Sequence, residues 1–306
     1  MNANTSRAPG SAHPDAGSTA SAASPTSAAS TGSALGAAEV SFARALRAEW
    51  LKLTSLRLNW WLSLAALAVM VLTLTATVFS TRYLLADTSL QDTEAQLTGL
   101  GLFENAFASF TLITLLMGAL AAVAITTEHS SGSIRSSLAA VPNRSIFFAA
   151  KLLAVCGFIA ALTAALMLLC FLVLLPLAGF YDVMPPLWEP ELWWMTLSSA
   201  AVVIITAALG FGLGALLRST AGAVVTYCLL LFSGPIALGL LQALTDFAPW
   251  VEELARFEIF ALQRQFTAGS ASLATDLPVP LAGALLLAWA GLVLIPGWLL
   301  FTRRDA

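Results

Sequence analysis

The sequence predicts an all-α membrane protein with six transmembrane helices, an N-terminal amphipathic helix and both termini in the cytoplasm. Six apolar stretches longer than 20 residues carry no charged side chain, basic residues are distributed unevenly between the loops, and a basic amphipathic segment precedes the first stretch. Only 10% of the 306 residues are charged and 58% are hydrophobic. Soluble domains carry about 25% charged residues, so this composition indicates a membrane domain.

Each apolar stretch is long enough to span a bilayer. About 20 apolar residues in a helix cross a hydrocarbon core of roughly 30 Å, and a helix satisfies its own backbone hydrogen bonds in lipid. The predicted spans are about 58–81, 105–127, 152–178, 194–217, 219–242 and 279–301. None contains Asp, Glu, Lys, Arg or His, which argues against a proton-driven transporter because such coupling usually needs an ionisable group.

The basic residues set the predicted topology. If the N-terminus is cytoplasmic, the inner segments hold 11 of the 14 lysine and arginine residues. The outer loops then hold only Arg82, Arg256 and Arg264. An excess of basic residues marks the cytoplasmic side, so we expect both termini there, including the short tail 303–306.

Two different segments precede the first span. Residues 1–38 are rich in Ala, Ser, Thr, Gly and Pro and have almost nothing to bury, which is typical of a disordered tail. Residues 39–57 predict a basic amphipathic helix in the headgroup region, with Glu49 inside its apolar arc. A carboxylate there is costly unless paired, so Glu49 is either a snorkelling surface acid or half of a salt bridge to Arg135, Arg144 or a partner protein.

The segment 128–151 is the only sizeable inner loop between predicted spans. A serine near its start could cap a short helix that Pro142 ends, and Ile134 and Leu138 would then share one face because they are four residues apart. The fourth and fifth spans are joined by the short hairpin 217–221, which has Arg218 at its tip.

Two further features are the glycines of the fourth predicted span and the segment before the sixth. Gly210, Gly212 and Gly214 follow no strand, so we interpret them as sites of close helix packing and not as a nucleotide-binding loop. Residues 246–266 predict one amphipathic helix at the outer interface, either a membrane-resting anchor or a lid, in which Glu252 supports Arg256 four residues later.

Several kinds of chemistry have no sequence signature. There is no GxxxxGK[ST] loop to cradle phosphates, so we expect no ATPase site and no enzyme in this chain. Cys156, Cys170 and Cys228 lie within predicted spans without a CxxC pair, and we expect no metal or cofactor. A strongly basic surface for nucleic acid is also missing.

Three parts of the chain resemble the membrane subunit of a type-2 ATP-binding-cassette transporter, of the bacterial exporter type. The segment AEWLKLTSLR, with Glu49, Trp50 and Lys52, resembles that family's interfacial helix. The segment EHSSGSIRSSLAAVPNRSIFFAAK resembles its coupling segment, and LGFGLGALLRSTAGAVV resembles its fourth-to-fifth hairpin. The resemblance covers residues 41–306 and implies that the coupling residues are Glu128, Ile134, Arg135, Leu138 and Arg144.

The resemblance also implies a function. Such a permease lies in the bacterial cell membrane and exports drugs, antibiotics, lipids or other amphipathic molecules. Its partners are a separate ATPase that uses ATP, a second permease copy or paralogue in a homo- or heterodimer, and the lipid bilayer. The alternatives are a self-contained secondary transporter and a non-transporting membrane scaffold or assembly protein.

Overall fold

A computed structural model describes residues 42–86, 99–130, 143–181, 183–246, 248–269 and 277–303. Every regular element in these ranges is a helix, as the sequence predicts. The predicted tail 1–38 lies outside them. The helices are α1 (Phe42–Ser55), α2 (Arg57–Ala86), α3 (Gly99–Phe107), α4 (Phe110–Ser130), α5 (Arg144–Phe180), α6 (Pro190–Leu217), α7 (Thr220–Leu244), α8 (Pro249–Ala255), α9 (Ile259–Ala268) and α10 (Val279–Arg303).

Six helical segments are long and apolar enough to cross a membrane, which confirms the predicted number of spans. Their bounds are wider than the charge-free stretches, and the second segment is composite. It comprises α3 and α4, which are separated by a turn at Ala108 and Ser109. The Ser109 hydroxyl donates to the carbonyl of Ala106 at 2.7 Å and so satisfies one carbonyl group at this break.

The longer helices bring charged residues into the packed domain. Glu128 lies near the end of α4 and Lys151 in the first turns of α5, one residue beyond the predicted spans in each case. Their exposed fractions are only 3% and 2%. The narrower predicted spans contain no charged residue, but the longer helical spans do, and the helical bundle buries charge at one end. We call this end, where α1 also lies, the α1 end, and the opposite end the α9 end.

Helix α6 is the central helix of the bundle, in contact with α4, α5, α7, α9 and α10. Its glycines allow this close packing. A Cβ atom on Gly210 would overlap the backbone carbonyl of Gly118 in α4, and one on Gly212 would lie 3.0 Å from Cα of Leu294 in α10. A Cβ on Gly214 would lie 2.7 Å from the carbonyl oxygen of Ala122. The interpretation of the three glycines as packing residues is confirmed.

The segment 246–266 is not one helix. It forms α8 and α9, which are separated by residues 256–258, and Glu258 caps α9 by accepting a hydrogen bond from the amide of Ala261 at 2.9 Å. Arg256 pairs with Glu253, three residues earlier, at 3.2 Å, and the predicted pair with Glu252 stays a prediction.

The turn between α8 and α9 reaches well into the bundle. The indole nitrogen of Trp289 donates to the carbonyl of Phe257 at 3.2 Å. Trp289 lies ten residues into α10, which corresponds to about 15 Å along that helix. A Cβ on Gly234, ten residues before the end of α7, would lie 2.8 Å from the Glu258 carboxylate. Helix α9 and the turn before it therefore pack against α6, α7 and α10, and the predicted position at the outer interface stays a prediction.

The first expected outcome concerns the contact of α4 with α6. Gly210→Ala should lower the free energy of unfolding by about 1–3 kcal/mol, because overpacking forces the two backbones apart. Gly179→Ala is the matched control, since nothing lies within 4 Å of its Cβ position. Thermal unfolding of both variants in the same detergent measures the difference. Equal melting temperatures would contradict this packing role.

The second expected outcome concerns the dependence of stability on pH. Burial raises the pKa of the Glu258 carboxyl above its usual value of 4.5, although the amides of Phe260 and Ala261 oppose the shift. Because the folded state holds this proton more tightly than the unfolded state, ionisation of Glu258 removes stability as pH rises above 4.5. Glu258→Gln keeps an oxygen to cap α9 but carries no charge. Its melting temperature relative to the wild type should therefore increase with pH, and a constant difference from pH 4 to pH 8 would contradict the assignment.

Candidate functional site

Helix α1 is fixed between two other helices at the α1 end. Its buried residues Ala45, Glu49 and Leu53 recur every four positions, so they form one face. This face packs mainly on α5, where the Trp50 ring meets the edge of Phe158 at 6.3 Å between centroids.

The C-terminal end of α1 is held by α2. The carbonyl of Leu53 accepts a hydrogen bond from the Asn59 side chain, and that of Thr54 accepts one from the Trp60 indole, both at 2.8 Å. These donors satisfy carbonyl groups that the helix end would otherwise leave unpaired. Helix α1 therefore cannot turn about its axis without breaking contacts on both α2 and α5.

Four charged residues meet where α1, α4 and α5 converge. The Lys151 ammonium lies 2.8 Å from Glu49 Oε2 and 2.9 Å from Glu128 Oε1. Lys52 also donates to Glu128 Oε1. We call Glu49, Lys52, Glu128 and Lys151 the inner charge cluster. It joins α1 to both long helices through ion pairs that are distant in sequence.

The inner charge cluster is neutral overall and mostly buried. Glu49 is 7% exposed, Glu128 and Lys151 are less exposed, and only the Lys52 side chain, at 37%, reaches the surface. The Lys151 ammonium also lies 5.7 Å from the centroid of the Phe147 ring. Because an isolated ion is very costly to bury, each member depends on its partners. Glu128 Oε2 is buried and accepts no hydrogen bond from the described residues.

Two members of the inner charge cluster, Glu128 and Lys151, are the first and last residues of the predicted coupling segment 128–151. Glu128 precedes residues 131–142 near the end of α4, and Lys151 follows them in α5. Ile134, Arg135 and Leu138 belong to that interval and lie outside the described residues, so their predicted coupling role stays a prediction. In the described ranges no group of three His, Cys, Asp or Glu side chains could hold a metal ion.

Arg144 does not belong to the inner charge cluster and connects α5 to α10. Its guanidinium donates to the carbonyl of Thr302 at 3.4 Å, near the end of α10. Phe147, one turn further along α5, stacks on Phe301 with ring centroids 6.0 Å apart. The predicted coupling residues Glu128 and Arg144 thus bind different partners: Glu128 joins α1, and Arg144 joins α10.

The hairpin between α6 and α7 lies beside the cluster end of α4. Arg218 adopts a left-handed conformation, with φ 53°, and its amide donates to the carbonyl of Gly214 at 3.0 Å, which ends α6. Ser219 then caps α7 by accepting from the amide of Gly222. The hydroxyl of Thr220 donates to that of Thr126 at 2.9 Å, so the hairpin is tied to α4 two residues before Glu128.

The structure decides between the two interpretations of Glu49. Glu49 is buried and ion-paired, so the salt-bridge interpretation is confirmed and the snorkelling one is wrong. Its partner is Lys151, which the sequence analysis did not propose. A signal was present in the sequence, because Lys151 lies four residues after Phe147 and four before Val155, on the buried face of α5.

The fold and the site together define an all-helical protein with six candidate membrane spans and an ion-paired helix at one end of the bundle. The chain belongs to the family described as "Protein of unknown function (DUF2705)", whose family model matches residues 57–306. This match covers all six candidate spans and begins after α1. A comparison with curated proteins found no match.

The inner charge cluster predicts that substitutions of two basic residues differ sharply in their effect on stability. Lys151→Met should lower the free energy of unfolding by about 3–5 kcal/mol, because it leaves Glu49 and Glu128 buried without their shared partner. Arg47→Met removes the same charge from an exposed position on α1 and should have little effect. Chemical unfolding in detergent measures both.

A second substitution tests the pairing directly. Adding Glu49→Gln to Lys151→Met should restore part of the loss, since the double variant no longer buries an unpaired Glu49 carboxylate. Strictly additive losses would show that Glu49 and Lys151 do not interact.

Proposed function

We propose that this chain is the membrane subunit of a type-2 ATP-binding-cassette transporter in a bacterial cell membrane. Its six helices cross the bilayer, α1 lies at the cytoplasmic surface, and both termini are cytoplasmic. A separate ATPase drives export of an amphipathic molecule such as a drug, an antibiotic or a lipid. The observation that carries the proposal is the inner charge cluster, which connects the elements that resemble the coupling apparatus of that family.

The cluster supports a mechanical role. An ATPase in the cytoplasm acts on the spans only through contacts at the inner surface, and residues 131–142 connect α4 to α5 there. A force on that segment is passed to Glu128 and Lys151, and through them to Glu49 and Lys52 on α1. Separating these groups would expose or isolate buried charge, so α1, α4 and α5 move as one unit.

The charge distribution supports the orientation. Among the described residues, the basic side chains at the α1 end include Lys52, Arg57, Lys151, Arg218 and Arg303. At the α9 end, acidic residues such as Glu104, Glu191 and Asp246 predominate. Basic residues are retained on the cytoplasmic side during insertion, so this distribution supports a cytoplasmic α1 end.

The exposure of the spans supports a second permease copy. The most apolar window of α7 is only 11% buried within the chain, whereas those of α6 and of the segment that contains α4 are 61% buried. Helix α7 therefore presents most of its surface to lipid or to another subunit. Small residues let helices approach closely, and Gly239 on α7 has open space at its Cβ position. We place the dimer contact on this helix.

The test uses the chain together with an ATPase that carries a phosphate-binding loop and that co-purifies with it in detergent. The chain alone should hydrolyse no ATP, since it has no phosphate-binding loop. The co-purified pair in lipid vesicles should hydrolyse ATP, and candidate amphipaths should stimulate it. The double substitution Ile134→Asp with Leu138→Asp should abolish association with the ATPase while the chain remains inserted in the membrane.

The matched control is Ser136→Asp with Ser137→Asp, which adds the same charge to the same segment without touching the two apolar residues. This control should retain association and hydrolysis. Normal association of both variants would remove the coupling role from this segment. Export without any ATPase would favour a secondary transporter, and a chain that neither binds an ATPase nor exports would favour a scaffold.

A further inference from the structure

A cavity of about 530 Å³ lies inside the chain at the α9 end. Its walls are the α3–α4 turn with the first turns of α4, the first half of α6 and one face of α9. It is a half-open cavity formed by helices of a single chain, at the opposite end of the bundle from the inner charge cluster. Its volume falls within the range of about 300–1,000 Å³ that small-molecule sites occupy.

One polar group that lines this cavity has no hydrogen-bond partner among the described residues. Gln263 lines the cavity, is only 6% exposed, and its side-chain nitrogen Nε2 is buried without a hydrogen bond. An unsatisfied buried donor costs about 1–3 kcal/mol, so such groups usually have a function or a missing partner. A molecule in the cavity could satisfy Nε2 with an acceptor such as a carbonyl oxygen.

The other residues that line the cavity indicate the chemical class of the ligand. Phe107, Phe110 and Phe260 supply apolar surface, and the hydroxyls of Thr111 and Ser199 add limited polarity. Glu104 and Arg264 also line the cavity, and both are exposed, so they lie at its mouth with opposite charges. An apolar body with an internal acceptor and a head group of zero net charge matches this distribution.

We propose that the cavity binds a small neutral acylated amphipath, with its ester or amide carbonyl accepting a hydrogen bond from Gln263 Nε2. The apolar chain packs against the three phenylalanines, and the head group lies between Glu104 and Arg264. The site does not depend on the proposed ATP-driven function, because binding requires only this chain. Its position on α9 couples an occupant to the α8–α9 hairpin.

The experiment uses a monoacylglycerol with a photoreactive diazirine in its acyl chain, added to the full chain in phosphatidylcholine nanodiscs. After irradiation, mass spectrometry should locate saturable labelling on residues 104–114 and 260–268. Unlabelled monooleoylglycerol should compete. Gln263→Leu should weaken competition about two- to tenfold, which is the loss expected from one hydrogen bond.

Two further variants keep the test decisive. Ser199→Leu fills the cavity without removing Nε2 and should abolish saturable labelling, which covers the case in which Gln263→Leu fails to fold. Gln242→Leu, on α7 and outside the cavity wall, should leave labelling unchanged. Labelling spread over lipid-facing helices and indifferent to all three variants would overturn the proposal. Unchanged affinity in Gln263→Leu would also overturn the proposal, because it would show that the ligand makes no hydrogen bond with Nε2 in the wild-type chain.

Discussion

Mutual neutralisation of four charges at the α1 end is the constraint on which the rest of the structure depends. Lys151 is shared by Glu49 and Glu128, and Lys52 completes the group at the surface. None of these pairs forms within one helix, so the charges are satisfied only when α1, α4 and α5 are assembled. Apolar packing alone would allow these helices to slide, whereas buried ion pairs permit one arrangement.

A second constraint lies in the backbone contacts of α6. Glycines bring its backbone against those of α4 and α10, so the centre of the bundle is held by shape, while its α1 end is held by charge. The α8–α9 hairpin occupies the space left at the other end. Its irregular turn is tolerated because Trp289 and the Glu258 cap satisfy backbone groups that lipid would leave unpaired.

The sequence predicts the spans well because apolar length is a local property that every 20-residue window reports. The local sequence pattern also predicts close packing at the glycines of α6. It offers an ion-paired Glu49 as one of two alternatives. The breaks at 108–109 and 256–258 do not, since the residues around them are compatible with a continuous helix. The pairing of Lys151 with Glu49 could not be predicted from the sequence because 102 positions separate the two residues, and only the fold brings them together.

The wide separation of Glu49 and Lys151 in the chain has a consequence for biosynthesis. Polypeptides emerge N-terminus first, so α1 is complete long before the residue that neutralises it has been made. Until the third span arrives, the Glu49 carboxylate has to remain hydrated, and α1 has no stable place against the membrane domain. Docking of α1 is thus a late assembly step that reports whether the second and third spans are correctly inserted. A quality-control protease that recognises an undocked α1 would detect misassembly there without inspecting the spans themselves.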